Sequence, residues 1–316
     1  FILYLIMILA AKEVNVRTIV KLTCILQGAM LLSIVVMSQI GIIPDYIFDA
    51  STRQRHGLGF LWTTTGAILY FYFMVLYIYL REERAHLIEY VILEAVNFGL
   101  YKLTDARMSF YLSTLLLVYV YVMRFYWQNR KDRIRKNRLL IGAPAFFCIL
   151  AVACQIFYIP TDARWQKINS VLSGRLELGC FGWRDYGFSL LGTKIEWIGF
   201  SHNATAGAYN YVDCSYMQIL LENGLIPLVI IIAVYTYIMY MAVKEKDFYL
   251  QTAVLLITAF SITEPRLLNL AYNPLPFFGI TYISLRGRSA LFHREGHRLN
   301  RRVRFRTTHV RLKARK

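Results

Sequence analysis

Apolar and polar positions are not evenly mixed along this chain. Long charge-free apolar runs, clearest at 31–43, 61–80 and 225–243, alternate with shorter polar stretches. Runs of about 20 apolar residues match the thickness of a bilayer core. Read as helices, they predict membrane spans at about 22–43, 60–80, 87–103, 109–127, 139–159, 213–243, 249–263 and 267–285, with 1–10 the tail of an earlier one. The polar-in, apolar-out alternation of an outer-membrane barrel is absent from the sequence, and otherwise only helices satisfy their own backbone in hydrocarbon. The expected fold is an all-α, polytopic transmembrane bundle with about eight to nine spans and one large loop at 160–212. Asn223-Gly224 and Pro227 interrupt the 213–243 run and predict a break or kink there.

Composition agrees. The chain has 316 residues, 57% of them hydrophobic, against about 45–50% for a soluble domain. It begins at Phe1, directly inside an apolar stretch, which reads as a chain whose first spans are missing. Charge then sets orientation. One set of alternate connections carries Lys12, Arg17 and Lys21, then Arg81 and Arg84, the run 124–138, Lys244 and Lys246, and the tail 286–316. This set holds most of the basic residues and is assigned to the cytoplasm. The other set holds as many acidic as basic residues and is assigned to the outer side. Trp62 and Trp127 fall at span ends, where interfacial anchors belong.

The net charge of +17 therefore reads as topology rather than as nucleic-acid binding. A basic tail at 286–316 suits anionic lipid headgroups. The organisation expected is a bundle over 1–285, including the 160–212 loop, followed by that tail. Five cysteines show no metal spacing. Three lie in apolar runs as small hydrophobes, whereas Cys180 and Cys214 share one outer stretch and could pair.

The chemistry sits on the outer set. Arg53-Gln54-Arg55 precedes a span, Thr104-Asp105-Ala106-Arg107 turns between two spans, Ser173-Gly174-Arg175 lies in the large loop, and Glu264-Pro265-Arg266 lies near the last span. Guanidinium groups bind phosphate oxygens bidentately and keep their charge, so arginines from several span ends facing one compartment suggest a diphosphate site. The plainer reading pairs each of them with an outer acid or a lipid phosphate. It is weakest for Arg107 and Arg175, which stand beside small residues. Aromatic side chains of the loop, Trp165, Phe181, Trp183, Tyr186, Phe188, Trp197, Phe200, Tyr209 and Tyr211 among them, suit sugar stacking but equally suit packing of the loop on the bundle. His202, Asp213 and Glu264 are the candidate acid–base groups. Against that, His202 could be an ordinary surface residue, Asp213 a helix cap and Glu264 a solvated span end. Inside the apolar runs, Glu94 is the one acid near a span centre and is expected to be functional or paired; Glu89, nearer the cytoplasmic interface, is expected to snorkel or to pair with Arg84.

The ordered set Arg55-x-x-Leu58-Gly59-Phe60, Thr104-x-x-Arg107, Ser173-Gly174-Arg175-Leu176, Asp213-x-Ser215-Tyr216, then Glu264 and Asn273, resembles the Wzy-type polysaccharide polymerases of the O-antigen ligase/polymerase superfamily. It covers about residues 50–280. The family's usual Asp-Asn-Ser-Tyr reads Asp213-Cys214-Ser215-Tyr216 here. The resemblance implies a multi-pass protein of the bacterial cell membrane, active on its outer face, that passes a growing glycan from undecaprenyl diphosphate to a new lipid-linked repeat unit. It implies no cofactor and no metal. Arg107 and Arg175, then Arg55 and Arg266, would hold the diphosphate, while Asp213, Glu264 or His202 would orient or deprotonate the acceptor. Membrane lipids, a flippase and chain-length regulators are the implied partners, with no nucleic acid. The alternatives are an O-antigen-type ligase, a flippase or transporter of lipid-linked oligosaccharide, and a non-catalytic scaffold of a glycan-assembly complex.

The orientation is directly testable. Reporter fusions placed at residue 135 and at residue 185 are expected to report opposite compartments. The same compartment for both would overturn the assignment.

Overall fold

A computed structural model of the chain describes residues 2–50, 53–127, 137–199 and 209–283. The apolar runs are largely helical, and some of the helices stop at a residue of positive φ. Helix α1 spans Ile2–Ala10 and α2 Val16–Gln39, the latter begun by Asn15, whose side chain accepts from Arg17 N. Helix α3, Thr65–Arg81, ends at Glu82, which takes a positive φ of 50°. Helix α4, Leu87–Thr104, ends at left-handed Asp105, and α5 follows at once as Arg107–Trp127. Helices α6, Ala143–Ile156, α7, Ala163–Val171, and α8, Arg175–Tyr186, come next. The last stretch holds α9, Ser215–Glu222, α10, Leu225–Glu245, and α11, Phe248–Phe260, and a final helix, α12, occupies 276–283.

Helix α3 lies at the centre, packed against α2, α4, α5 and α11, and is buried on every side. The peripheral helices turn large apolar residues outward, among them Leu22, Ile25 and Leu26 on α2, Ile88, Val91 and Ile92 on α4, and Phe146 and Ile149 on α6. Polar side chains such as Gln27, Asn97, Gln155, Gln251 and Thr258 are buried inside. This inside-out distribution suits a hydrocarbon surrounding, where helices associate through packing and internal polar bonds rather than by hiding apolar surface from water. Three helices are long and apolar enough to cross a membrane: Val16–Gln39, Arg138–Ile156 (α6 with the 3-10 turn before it) and Leu225–Glu245.

Several expectations change in detail. The 44–59 segment is not a plain loop: Ile47–Ala50 (β1) and Arg53–His56 (β2) pair as an antiparallel hairpin, with Phe48 opposite Arg55. The 160–212 segment carries α7 and α8. The 213–243 run is two helices, parted at Asn223-Gly224 as expected, and Pro227 sits harmlessly in the first turn of α10. Cys180 and Cys214 do not pair. All five cysteines are free, with Cys180 directed at Tyr158 O and Cys214 packed in the main core. Glu89 pairs with Arg81 rather than Arg84, accepting from Nη2 at 2.5 Å and Nε at 2.8 Å. Glu94 accepts from Thr114 at 2.7 Å and Asn97 at 3.2 Å, so the acid within the apolar run is satisfied between α4 and α5.

The ends of α3 divide the basic residues. At its C-terminal end, Arg17 meets Glu82 and Leu80 O, Arg124 meets Ala85 O, and Lys246 shares a surface hollow with Glu82 and Arg84. At its N-terminal end lie Arg55, Arg107, Arg175 and Arg266. The two sets of arginines separated in the sequence are thus separated in space.

The break between α9 and α10 would leave amides and carbonyls unpaired. The 189–193 stretch supplies the partners: Leu225 N donates to Ser189 O at 3.0 Å, Ile226 N to Leu190 O at 3.1 Å, and Thr193 N to Leu221 O at 3.1 Å. Such close backbone approach needs two glycines. A Cβ on Gly224 (φ 95°) would lie 2.4 Å from Gly192 N, and one on Gly192 (φ 87°) 2.1 Å from Glu222 O. Gly224→Ala is therefore expected to destabilise the protein by about 2 kcal/mol or more, read as a lower melting temperature in detergent. Gly99→Ala, in α4 with open space around it, is expected to leave the melting temperature equal or raised.

Candidate functional site

Each site residue is placed by a local turn that the sequence encodes. Arg55 lies on β2, and the hairpin is held by Asp45, which accepts from Leu58 N at 2.7 Å and bonds His56 Nδ1 at 2.6 Å. The chain then turns through Gly59, where a Cβ would press on Ile34 and Ser38 of α2 at about 3 Å. Arg55 Nε donates to Thr104 O at 3.0 Å, tying the hairpin to the end of α4. The α4–α5 turn needs only Asp105 and Ala106, because Asp105 tolerates the left-handed conformation that closes the helix. Arg107 is consequently the first residue of α5.

Arg175 is likewise the first residue of α8. The turn before it passes through Ser173 (φ 56°) and Gly174 (φ 83°). Asn169 caps α8 from a distance, its Oδ1 accepting from Leu176 N at 3.1 Å and Glu177 N at 3.3 Å. Glu264 follows α11 in a turn pinned by Ser215, whose Oγ donates to Glu264 O at 2.5 Å and accepts from Leu267 N at 3.1 Å. Asn273 fastens the far side of that turn, donating to Leu267 O at 2.7 Å and to Tyr235 OH at 2.6 Å.

These turns converge on one cavity of about 410 Å³, lined by Arg55, Arg107, Arg175, Asp105, Asp213 and Glu264, with Thr64, Ser109, Ser173, Trp62 and Tyr209 among the other wall residues. A second lobe of about 180 Å³ shares Arg175, Asp213 and Glu264 and adds Tyr211, Pro265 and Arg266. Arg107 and Arg175, 68 positions apart in the chain (175 − 107), therefore face the same space. Helices α3, α5 and α8 all start here, with Thr64 the N-cap of α3. The positive ends of their dipoles favour anions, although the first-turn amides of α8 are themselves taken up by Asn169 and the preceding turn.

Five of the seven candidate residues meet in the main cavity, and Arg266 joins from the second lobe. His202 lies outside the described residues. The capping alternative for Asp213 fails: Cys214 occupies the N-cap position of α9, and Asp213 Oδ2 stands 3.7 Å from Arg175 Nε. The solvated-end alternative for Glu264 fails too, since the residue is 5% exposed and its Oε1 accepts from Arg175 Nη2 at 3.1 Å. For Arg107, pairing with an outer acid is part of the truth. It contacts Asp105 at 3.3 Å but keeps an exposed side chain. Arg266 stacks on Tyr272 at 4.3 Å, and its buried Nε finds no hydrogen-bond partner among the described residues.

Most of the loop aromatics pack. Trp197 sits edge-on between Tyr186 and Tyr211 and donates to Glu222, and Trp165 packs on Tyr158. Tyr209 and Trp62 reach the main cavity and Tyr211 the second lobe. Thr64 and Asp105 are lining residues that motif reading passed over. The one available signal was Thr63-Thr64-Thr65 ahead of an apolar run, which is a helix start. Among the described residues no group of three His, Cys, Asp or Glu side chains is placed to hold a metal.

Burial shapes the electrostatics. It pushes the Glu264 carboxyl up to about 7, with Asp213 adding to the rise while Arg175 and Arg266 oppose it. Asp213 is raised by burial as well, against the same two arginines. Burial lowers Arg55, with Arg107 and Arg175 adding to the fall and Asp105 opposing it. The cavity is thus a cationic site held near balance by carboxylates, of which Glu264 and Asp213 are raised by burial.

A carboxyl raised on folding stabilises the folded state fully below its ordinary value of 4.5 and loses that contribution as pH rises through the folded value. The melting temperature in detergent is therefore expected to fall between pH 5 and pH 8, by a loss of up to roughly 3 kcal/mol, and Glu264→Gln is expected to flatten that segment. A wild-type curve that rises over the same interval would contradict the assignment. Comparison of the chain with protein-family models, with curated proteins and with solved structures finds no match.

Proposed function

We propose that this chain is a membrane glycosyltransferase of the polysaccharide-polymerase kind, acting on the outer face of a bacterial cell membrane. The observation that carries the reading is the meeting of Arg55, Arg107 and Arg175, from three separate elements, in one cavity beside Asp213 and Glu264. The resemblance to Wzy-type polymerases rests on these same residues.

In this reading the helices α2 to α6 and α9 to α12 supply the spans, and the charge distribution along the sequence puts the cavity outside. A lipid-diphosphate-linked glycan enters with its phosphates toward Arg107 and Arg175, and Arg55 and the helix starts add positive potential. The bond between the sugar's anomeric carbon and the phosphate oxygen breaks. The hydroxyl of a second lipid-linked unit attacks that carbon, its proton passes to a carboxylate, Asp213 or Glu264, and lipid diphosphate leaves with its charge held by the arginines. His202 stays a candidate for the same proton on sequence grounds. An O-antigen-type ligase would use the same donor chemistry with another acceptor. A flippase would need a polar path across the bundle, and the bonding of Glu94 to Thr114 and Asn97 speaks for a structural role there.

The test uses purified protein in detergent with lipid-linked repeat units. Chain growth without a membrane gradient supports the enzyme, whereas vectorial movement in vesicles with no new bond supports a transporter. Arg175→Lys keeps the charge and loses the planar fork, so polymerisation is expected to fall about 100-fold with normal insertion. A wild-type rate would remove Arg175 from the site.

A further inference from the structure

Arg175 is already engaged on every side. Its Nε donates to Thr263 O at 2.9 Å, its Nη1 approaches Leu172 O at 3.5 Å, and its Nη2 donates to Glu264 Oε1 at 3.1 Å. Asp213 Oδ2 stands 3.7 Å from Nε. A phosphate group entering the cavity therefore finds the guanidinium shared by two carboxylates, one of them almost fully buried. Glu264 has little water to screen it, so placing two or more negative charges beside it without a change of protonation is costly.

The other groups facing Glu264 do not remove this conflict. Tyr72 faces it from α3, Arg175 from α8, and Tyr209, Tyr211 and Asp213 from the segment before α9. Arg266 faces it from its own turn, and the tyrosines are neutral near pH 7. Two guanidinium groups thus answer two carboxylates around Glu264; Arg107 and Arg55 lie elsewhere on the cavity wall with Asp105, and a diphosphate seated on Arg175 adds negative charge directly beside Glu264.

We infer that Glu264 takes up a proton from solvent when a diphosphate seats on Arg175, so that the anion and the proton bind together. The inference rests on reading the cavity as a diphosphate site. Protonation converts the Glu264 carboxylate to a carboxylic acid, frees Nη2 for a phosphoryl oxygen, and gives the acid an O–H with which to donate to the ligand. When lipid diphosphate departs, the proton returns to solvent and Glu264 closes on Arg175 again. Burial has already brought Glu264 to about 7, so the resting site is poised and the ligand completes the change. Asp213, which is more open, is left as the carboxylate for the acceptor's proton.

The experiment is titration calorimetry of the whole chain in detergent with inorganic pyrophosphate, in buffers of different ionisation enthalpy, at pH 6 and pH 8. Wild type is expected to take up about one proton more per pyrophosphate at pH 8 than Glu264→Gln does. Pyrophosphate's own ionisation enters both measurements and cancels in the difference. Wild-type affinity is expected to drop about tenfold more than that of the variant from pH 6 to pH 8, and Glu264→Gln to bind more tightly at pH 8. Equal proton counts and parallel pH profiles with binding intact would overturn the linkage and leave the diphosphate site standing. No pyrophosphate binding by either protein would overturn both. If Glu264→Gln does not insert, Glu264→Ala takes its place in the same difference: a proton count per pyrophosphate at pH 8 equal to that of wild type overturns the inference.

Discussion

A buried charge has to be answered, and in this protein the answer organises the site. Arg175 is brought into a nearly closed region by α8 and is met by Glu264, Asp213 and two backbone carbonyls. Breaking such a pair on one side leaves an uncompensated charge, at a cost of about 3–5 kcal/mol. The turn that carries Glu264 must accordingly be held in register with a helix that starts 89 residues earlier. Ser215 and Asn273 perform that task with hydrogen bonds to the turn's own backbone, so residues that touch no cavity wall still fix the cavity's charge.

The same end of the molecule gathers the starts of α3, α5 and α8. Each brings amides without helical partners, and each follows a short turn residue or pair: Thr64, the N-cap of α3, the Asp105-Ala106 pair, and the Ser173-Gly174 pair. Arginines at the first positions of α5 and α8 add like charge to the positive ends of helix dipoles, a local arrangement that does not favour folding. Sites that break a local rule are commonly functional. Here the compensation is partial and comes from acids, two of which, Glu264 and Asp213, burial raises above their ordinary values.

Much of the bundle was legible in the sequence because it rests on periodicity and composition. The positions of α2 to α6 and the break at Asn223-Gly224 follow from apolar runs and their interruptions. Arg107 and Arg175 were legible as candidates because small residues stand beside them, and Asp213 and Glu264 because they are titratable groups at the ends of apolar runs. Other features depend on distance. Nothing in the spacing of Glu89 says that Arg81 and Tyr77 will reach it before Arg84 does. The pairing of Phe48 with Arg55 in a hairpin, and the helices within 160–212, arise in segments too polar and too short for a hydrophobic period to declare itself. The burial of Glu264, which sets its chemistry, is a property of the turn's tertiary clamps.

The gap between α9 and α10 has a consequence for how this architecture can vary. The missing helical bonds are made good by the backbone of 189–193, whose carbonyls and amide take the places that one more helical turn would have filled. The 160–212 segment is therefore no detachable insert. A chimera that replaces it must carry 221–226 along as a matched half, or the exchanged piece will leave the amides of Leu225 and Ile226 and the carbonyl of Leu221 without their present partners.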